Sequence, residues 1–578
     1  MTHRRIKPRP FLFLVIITAL ASLATGTAQA DTGTITVVDL AGKRADEKLA
    51  AYALQGLANR NGPHVFVRLK GDNRWTSFRY DNGQNPVWSP ATPQDFKTKY
   101  PYTEDYWLEW LTRRGYALKD ATWQDLAADL ARQGVLKRAI IYEHQDEDMA
   151  IVTTGAGVDD AVPLTPALQS DPVIQGLNLP VAIDVRAVRK NYPTGANPKL
   201  AAHAWMIDNL LAKCATDGAV SRVKLYNLAQ HDTIVDVDHA VQHRWAVLDL
   251  NYTAMANKLG DKVDPPDLPL IDKILGHLDR YSAVWGWGYP GESEFIRSCT
   301  RHYLVGICSG VGNNSFFSAL PEPARQFRQA TQMTPDKVKV EDKIYVAFAV
   351  NEGDTIKNLI ALMGDGGWIQ PERGTLPINW GIDPLLVKEY PALMAYIYDT
   401  ATPNDYFFAA TSGWGYTHPA VLPPDAIEPY AALVKKGMAD ADVRYLDLWW
   451  PMKPDALEKF IRGTGAVGWM NWTKCEQGVS WDGAGVMRVK SNLYYTMKNP
   501  TEFAERLKSD SAMMKAPWFI YVYGGDPYKF SQVARQLPTD KFKVVRLDEF
   551  FSAAKKARAQ IEGRAWIAKP NAPKGVAP

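Results

Sequence analysis

The sequence predicts a multidomain α/β protein: small N-terminal α/β domains followed by a C-terminal (β/α) barrel-like domain. Three observations predict it. The chain has 578 residues, more than one ordinary core can hold, so two to four domains are expected. Short apolar runs alternate with stretches of helical spacing, the pattern of parallel strands covered by helices. After residue 341 about seven apolar runs follow one another, each closed by polar or aromatic residues, as barrel strands close at the end where functional groups gather. An open doubly wound sheet is the alternative for this last part.

At the N-terminus, Arg4, Arg5, Lys7 and Arg9 precede an apolar run from Phe11 to about Ala24, and Ala28-Gln29-Ala30 supplies a small-residue cleavage site. Residues 1–30 are therefore expected to be a secretory signal peptide, which makes the protein secreted or periplasmic. No later stretch is long and apolar enough for a membrane span. Removing four of the 66 basic residues leaves 62 against 63 acidic ones. A neutral chain without a basic stripe is not expected to bind nucleic acid.

The first domain is expected over 31–118. It opens β-α-β: a strand at Thr34–Asp39, a helix from Ala45 to Arg60 stopped by Asn61-Gly62-Pro63, and a strand at His64–Leu69. A second α/β domain is expected over 119–264, with strands at Leu136–Tyr142, Ala161–Leu164, Pro180–Asp184, Val223–Leu228 and Trp245–Leu250. A third, small domain, 265–340, carries Trp285, Trp287 and Tyr289 set between glycines, then Glu292 and Glu294. The last domain, 341–578, begins with the clearest buried strand, Lys343–Val350, and ends it in Asn351-Glu352-Gly353-Asp354.

Within this domain Asp405–Ala410 reads as a strand, and Thr-Ser-Gly-Trp-Gly-Tyr-Thr-His-Pro, 411–419, as the loop leaving its carboxyl end. Gly413 and Gly415 flank the ring of Trp414 and free the backbone. Aromatic faces beside polar groups suit a sugar; a tight turn whose rings fill a core is the other reading. The 19 Trp and 26 Tyr fit either.

Glycosidic cleavage needs two carboxyl groups across the bond. Glu352 and Asp354 stand at a predicted strand end, with Asp365, Glu372, Asp383, Asp447 and Asp526 behind them. Asp354 also suits a helix N-cap. His239 and His243, four apart, have metal-holding spacing but lack a base between them and are expected on the surface. His418 is the sole histidine after residue 342. No P-loop, G-x-S-x-G or CxxC is present, and neither a metal nor a cofactor is expected. Of Cys214, Cys299, Cys308 and Cys475, the pair Cys299–Cys308 is the first disulfide candidate; four buried thiols are the alternative.

Gly413-Trp-Gly-Tyr-Thr-His-Pro419 resembles the signature of the GxGYxYP putative glycoside hydrolase family, with His418 where the pattern has Tyr. Leu54–Arg60, Ala161–Pro166 and the region from Trp285 to Ser315 also resemble that family. The resemblance implies several small N-terminal domains and a C-terminal signature domain. It supplies no catalytic pair.

These readings point to an exported carbohydrate-active hydrolase. Glu352 is the expected catalytic carboxylate, with Asp354 or Asp383 as partner. Trp414, Tyr416, Trp380 and Trp472 are expected to rim the sugar site with His418, and Glu294 or Asn313 to close it from the third domain. A non-catalytic carbohydrate-binding protein is the alternative. A metal-dependent deacetylase is a third reading.

Overall fold

The computed structural model describes residues 33–70, 89–143, 146–221, 236–252, 267–288, 291–329, 332–350, 355–364, 366–450, 452–473, 476–481, 487–492, 499–512, 514–562, 564 and 566–567. Glu352, Asp354, Asp365, Tyr289 and Cys475 lie outside the described residues, and so does the expected leader, 1–30. The expected strand at 223–228 lies outside them too. No described helix is long and apolar enough to cross a membrane.

Three small parallel sheets precede the large one. The first has the order β2-β1-β3, from Thr34–Asp39 (β1), Val65–Arg68 (β2) and Ala117–Ala121 (β3). The second is β5-β4-β6, from Arg138–Ile141 (β4), Ala161–Leu164 (β5) and Val181–Asp184 (β6). The third is β10-β9-β7-β8, from Gly218–Ser221 (β7), Ala246–Leu248 (β8), Ala283–Gly286 (β9) and Val305–Ile307 (β10). This third sheet takes strands from both sides of position 264, because β7 pairs with β9 in parallel from Gly218↔Ala283 to Ser221↔Gly286.

The C-terminal sheet is built on Ile344–Val350 (β11), whose first six residues are buried. Such a run, apolar on both faces, belongs inside a parallel sheet covered by helices. Around it stand Ile378–Ile382 (β12), Asp405–Ala409 (β13), Tyr445–Leu448 (β14), Gly468–Thr473 (β15), Glu476–Trp481 (β16), Met487–Asn492 (β17), Trp518–Tyr523 (β18), Phe542–Val544 (β19) and Trp566–Ile567 (β20). The order is β18-β11-β12-β13-β14-β15-β17-β16-β20, with β19 also on β11. All pairings are parallel except β16 with β17 and β16 with β20.

This sheet curls. Between β14 and β18 lie four strand steps, about 19 Å in a flat sheet at ~4.8 Å per step. Yet Trp449, at the end of β14, meets Tyr523 of β18 with ring centroids 5.9 Å apart. The pairing does not close: among the described residues the last strands are β18 and β20, and they are not joined. The expected barrel is therefore a curled, mostly parallel half-barrel sheet. The helix Leu547–Lys556 fills the inside of the curl, Phe551 stacking on Tyr445 at 4.5 Å and Phe550 meeting Phe519 at 5.3 Å.

Candidate active site

The loop after β13 is forced into a tight path. Thr411, Ser412, Gly413 and Gly415 all have positive φ (39°, 79°, 92° and 59°). For Thr and Ser that conformation costs of order 1 kcal/mol each and persists only where surroundings enforce it. Here they do. Ser412 N donates to Asp447 O at 2.9 Å, Gly415 N donates to Asp383 Oδ1 at 3.0 Å, and Tyr430 OH donates to Trp414 O at 2.9 Å. A Cβ on Gly415 would lie 2.5 Å from Val305 Cγ2, so only glycine lets the loop seat against β10.

The same loop ties the curled sheet to the third sheet. Tyr416 and Gly306 exchange backbone hydrogen bonds of 2.7 and 2.8 Å. The Tyr416 phenol donates to the carboxylate of Glu292, first residue of the helix Glu292–Arg301. The hydroxyl oxygen of Thr300 in that helix accepts from His418 N at 2.9 Å. The rings of Tyr416 and His418 both lie parallel to that of Trp450, at 5.5 and 4.4 Å. Burial, then the charges of Arg297 and Arg301, push the His418 imidazole down to about 4.

Asp447, on β14, is a buried carboxyl group on the inside of the curl. Its neighbour Leu446 points outward, since a Cβ on Gly413 would meet both Leu446 and Val434 of the covering helix Ile427–Asp440. Strand alternation then turns Asp447 inward, beside Trp449, whose indole N–H donates to Asp447 Oδ2 at 3.0 Å. Burial pushes the Asp447 carboxyl up to about 7. Trp449 in turn sits edge-on to Tyr416 at 6.3 Å and to Tyr523 at 5.9 Å. An acid that holds its proton near neutrality, oriented by the Trp449 N–H among aromatic rings, can protonate a leaving oxygen.

The expected site residues are only partly brought together. Tyr416 and His418 lie at the carboxyl end of the sheet, both buried rather than open. Trp414 is turned away, packed on Gly437 of the covering helix, where an added Cβ would lie 2.6 Å from its ring. Trp380 is fully buried, its N–H donating to Asp405 Oδ1 at 2.8 Å and its ring against Trp368. Neither offers a free face to a sugar. Trp472 is on β15, but its side chain lies outside the described ones. Asp383 is buried under the loop, where Oδ1 accepts from Gly415 N and Leu385 N, both at 3.0 Å; it positions the loop. Asn313 is elsewhere: its amide pairs with both backbone groups of Val67 on β2, at 2.8 and 2.9 Å. Glu294 is half-buried on the helix that presents Glu292.

Two further expectations are corrected. His239 and His243 are not a surface pair. They belong to a ring cluster, the buried His239 edge-on to Trp285 at 4.7 Å and the half-buried His243 stacked on Trp245 at 4.2 Å. Cys299 and Cys308 are free, buried thiols rather than a disulfide, as is Cys214. No three His, Cys, Asp or Glu side chains gather as a metal site among the described residues.

Sequence reasoning placed Asp447 among seven acids and passed over Trp449 and Trp450. The available signal was the run Asp447-Leu-Trp-Trp450 closing a strand. Its inward register depends on the curl, which no local pattern reveals.

Residues 342–555 match the family model described as "GxGYxYP putative glycoside hydrolase C-terminal domain". Over 91% of this chain and 95% of its own, a "putative hydrolase" from Bacteroides thetaiotaomicron superposes with a TM-score of 0.70 at 16% identity, so the two share a fold. A "putative polysaccharide deacetylase" from Mycobacterium smegmatis aligns at a TM-score of 0.26 and 12% identity, over 43% of this chain and 99% of its own. No curated protein matches the chain.

Proposed function

We propose that the protein is an exported carbohydrate-active hydrolase that cleaves glycosidic bonds at the carboxyl end of the curled sheet, with Asp447 as the general acid. The observation that carries this reading is the Asp447 carboxyl itself. It is buried, faces the concave side of the sheet, and is raised to about 7, so it retains its proton at neutral pH. The Trp449 N–H, donating to Oδ2 at 3.0 Å, fixes the orientation of that carboxyl.

Glycoside hydrolysis then requires a second carboxylate on the other side of the bond, as nucleophile or as base for water. Glu352, which follows β11 in sequence, is the group proposed for that role, with Asp354 beside it. The solvent-facing part of the half-buried Trp450 would supply the apolar surface on which a pyranose ring rests, with the buried Trp449 and Tyr416 packed against it. The match of residues 342–555 to a family described by this activity supports the substrate class. Replacing Asp447 by Asn, then assaying release of reducing sugar from a panel of poly- and oligosaccharides, tests the assignment; turnover that survives the change overturns it.

A further inference from the structure

We infer that the face formed by Arg297, Arg301, His418 and Trp450 is a subsite for an anionic sugar, one bearing a carboxylate or a sulfate ester. The inference rests on the carbohydrate reading of the adjoining site and adds the charge of its substrate.

The helix Glu292–Arg301 places Arg297 and Arg301 one turn apart, on either side of Thr300, which holds the His418 backbone at 2.9 Å. Like charges four apart on a helix repel, and burial weakens the Arg301 cation further, with Arg297 adding to the effect. Holding Arg297 beside a second cation is costly unless something negative lies against Arg297 itself. No described carboxylate pairs with the Arg297 guanidinium, and its Nε–H is buried with no hydrogen-bond partner among the described residues. Glu294, three residues earlier on the same helix, makes no ion pair with it. His418 Nδ1 is buried and unpartnered in the same sense. Two unsatisfied nitrogens thus belong to side chains close enough for the Arg297 charge to act on the His418 imidazole, and such nitrogens are normally matched when buried.

The ligand chemistry follows from these groups. A guanidinium fork binds planar carboxylate or sulfate oxygens with two parallel hydrogen bonds. The His418 tautomer with its proton on Nδ1 would donate a third. Trp450, stacked on His418 at 4.4 Å, is only half-buried, and the part of its indole left in solvent is the surface that a sugar carrying the anion would cover. Tyr416, stacked on the same indole at 5.5 Å, joins this face to Trp449 and so to Asp447. A sugar anion held at Arg297 would therefore place a neighbouring glycosidic bond toward the acid.

The test is calorimetric titration of the full chain with three sets of oligosaccharides of equal length: neutral, uronate-containing and sulfated. Anionic sugars are expected to bind at least about tenfold tighter than neutral ones, the scale of one charge-assisted pair. Arg297→Gln should erase that preference, and Arg297→Lys should restore only part of it. Arg301→Gln serves as a second variant if Arg297→Gln does not fold. The uronate and sulfate arms identify which anion is read. Equal affinity for neutral and anionic sugars, or a preference that survives both glutamine variants, overturns the subsite and leaves the hydrolase reading to its own test. Binding of anionic sugars that depends on Arg297, without turnover, upholds the subsite and counts against the hydrolase reading.

Discussion

The phenol of Tyr416 donates to the carboxylate of Glu292, 124 residues away in sequence, and so fastens the loop of the curled sheet to a helix of the preceding sheet. A hydrogen bond to a charged group contributes about 1.5–3 kcal/mol. Tyr416→Phe keeps the ring stack on Trp450 and removes this bond. The variant should melt several degrees lower than the wild type in a thermal scan. An unshifted melting temperature would show that the phenol is not a tie between the two parts.

Gly415 should resist substitution more strongly than a glycine of similar φ in open space. Gly415 and Gly134 have φ of 59° and 71°, but an added Cβ meets Val305 at 2.5 Å in the first case and nothing within 4 Å in the second. Gly134→Ala should cost about 1 kcal/mol from the backbone alone. Gly415→Ala should cost upward of about 2 kcal/mol, because overpacking adds to it. Urea melts of the two variants decide the matter; equal losses would mean that β10 yields to the loop.

Asp383 carries a pH signature. Burial raises its carboxyl from 3.8 to about 6. A folded-state value above the unfolded one means that stability is fully present at low pH and falls as pH rises through about 6. Asp383→Asn keeps the acceptor for Gly415 N and Leu385 N but cannot ionise. Its stability relative to wild type should therefore climb between pH 5 and pH 8, measured by denaturant melts. A flat or falling difference would place the carboxyl in a different protonation state.

His418 should act in the opposite sense. Its value is depressed from 6.5 to about 4, by burial first and then by Arg297 and Arg301. Stability is intact above about 6.5 and is lost as pH falls toward 4. His418→Gln should flatten the loss between pH 7 and pH 4.5. If wild type and variant lose stability in parallel over that range, the imidazole is not held neutral by this loop.

Much of the fold was legible where the signal is local. The apolar run of β11 was read to within a residue, and the expected strand Thr34–Asp39 matches β1 at both ends. The hairpin of β16 and β17 was missed, since its residues show no apolar run to mark them. The site was harder. Glycines beside Trp414 are compatible with an open ring or with a ring packed on Gly437, and tertiary contact alone chooses the second. Asn313 reads as a polar loop residue, yet it completes the backbone pairing of Val67 from the far side of the chain. Asp447 could not be separated from six other acids because its inward direction depends on strands folded four steps apart.

The most direct test of the account is the pH dependence of kcat/KM for wild type and Asp447→Asn on one glycan that the protein cleaves. With Asp447 as an acid held at about 7, wild-type activity should fall as pH rises through that value. Loss of the proton donor should lower the rate by roughly 10²–10⁴-fold and remove that limb. A variant that keeps the wild-type rate and the same alkaline limb would contradict the assignment of Asp447 as the acid.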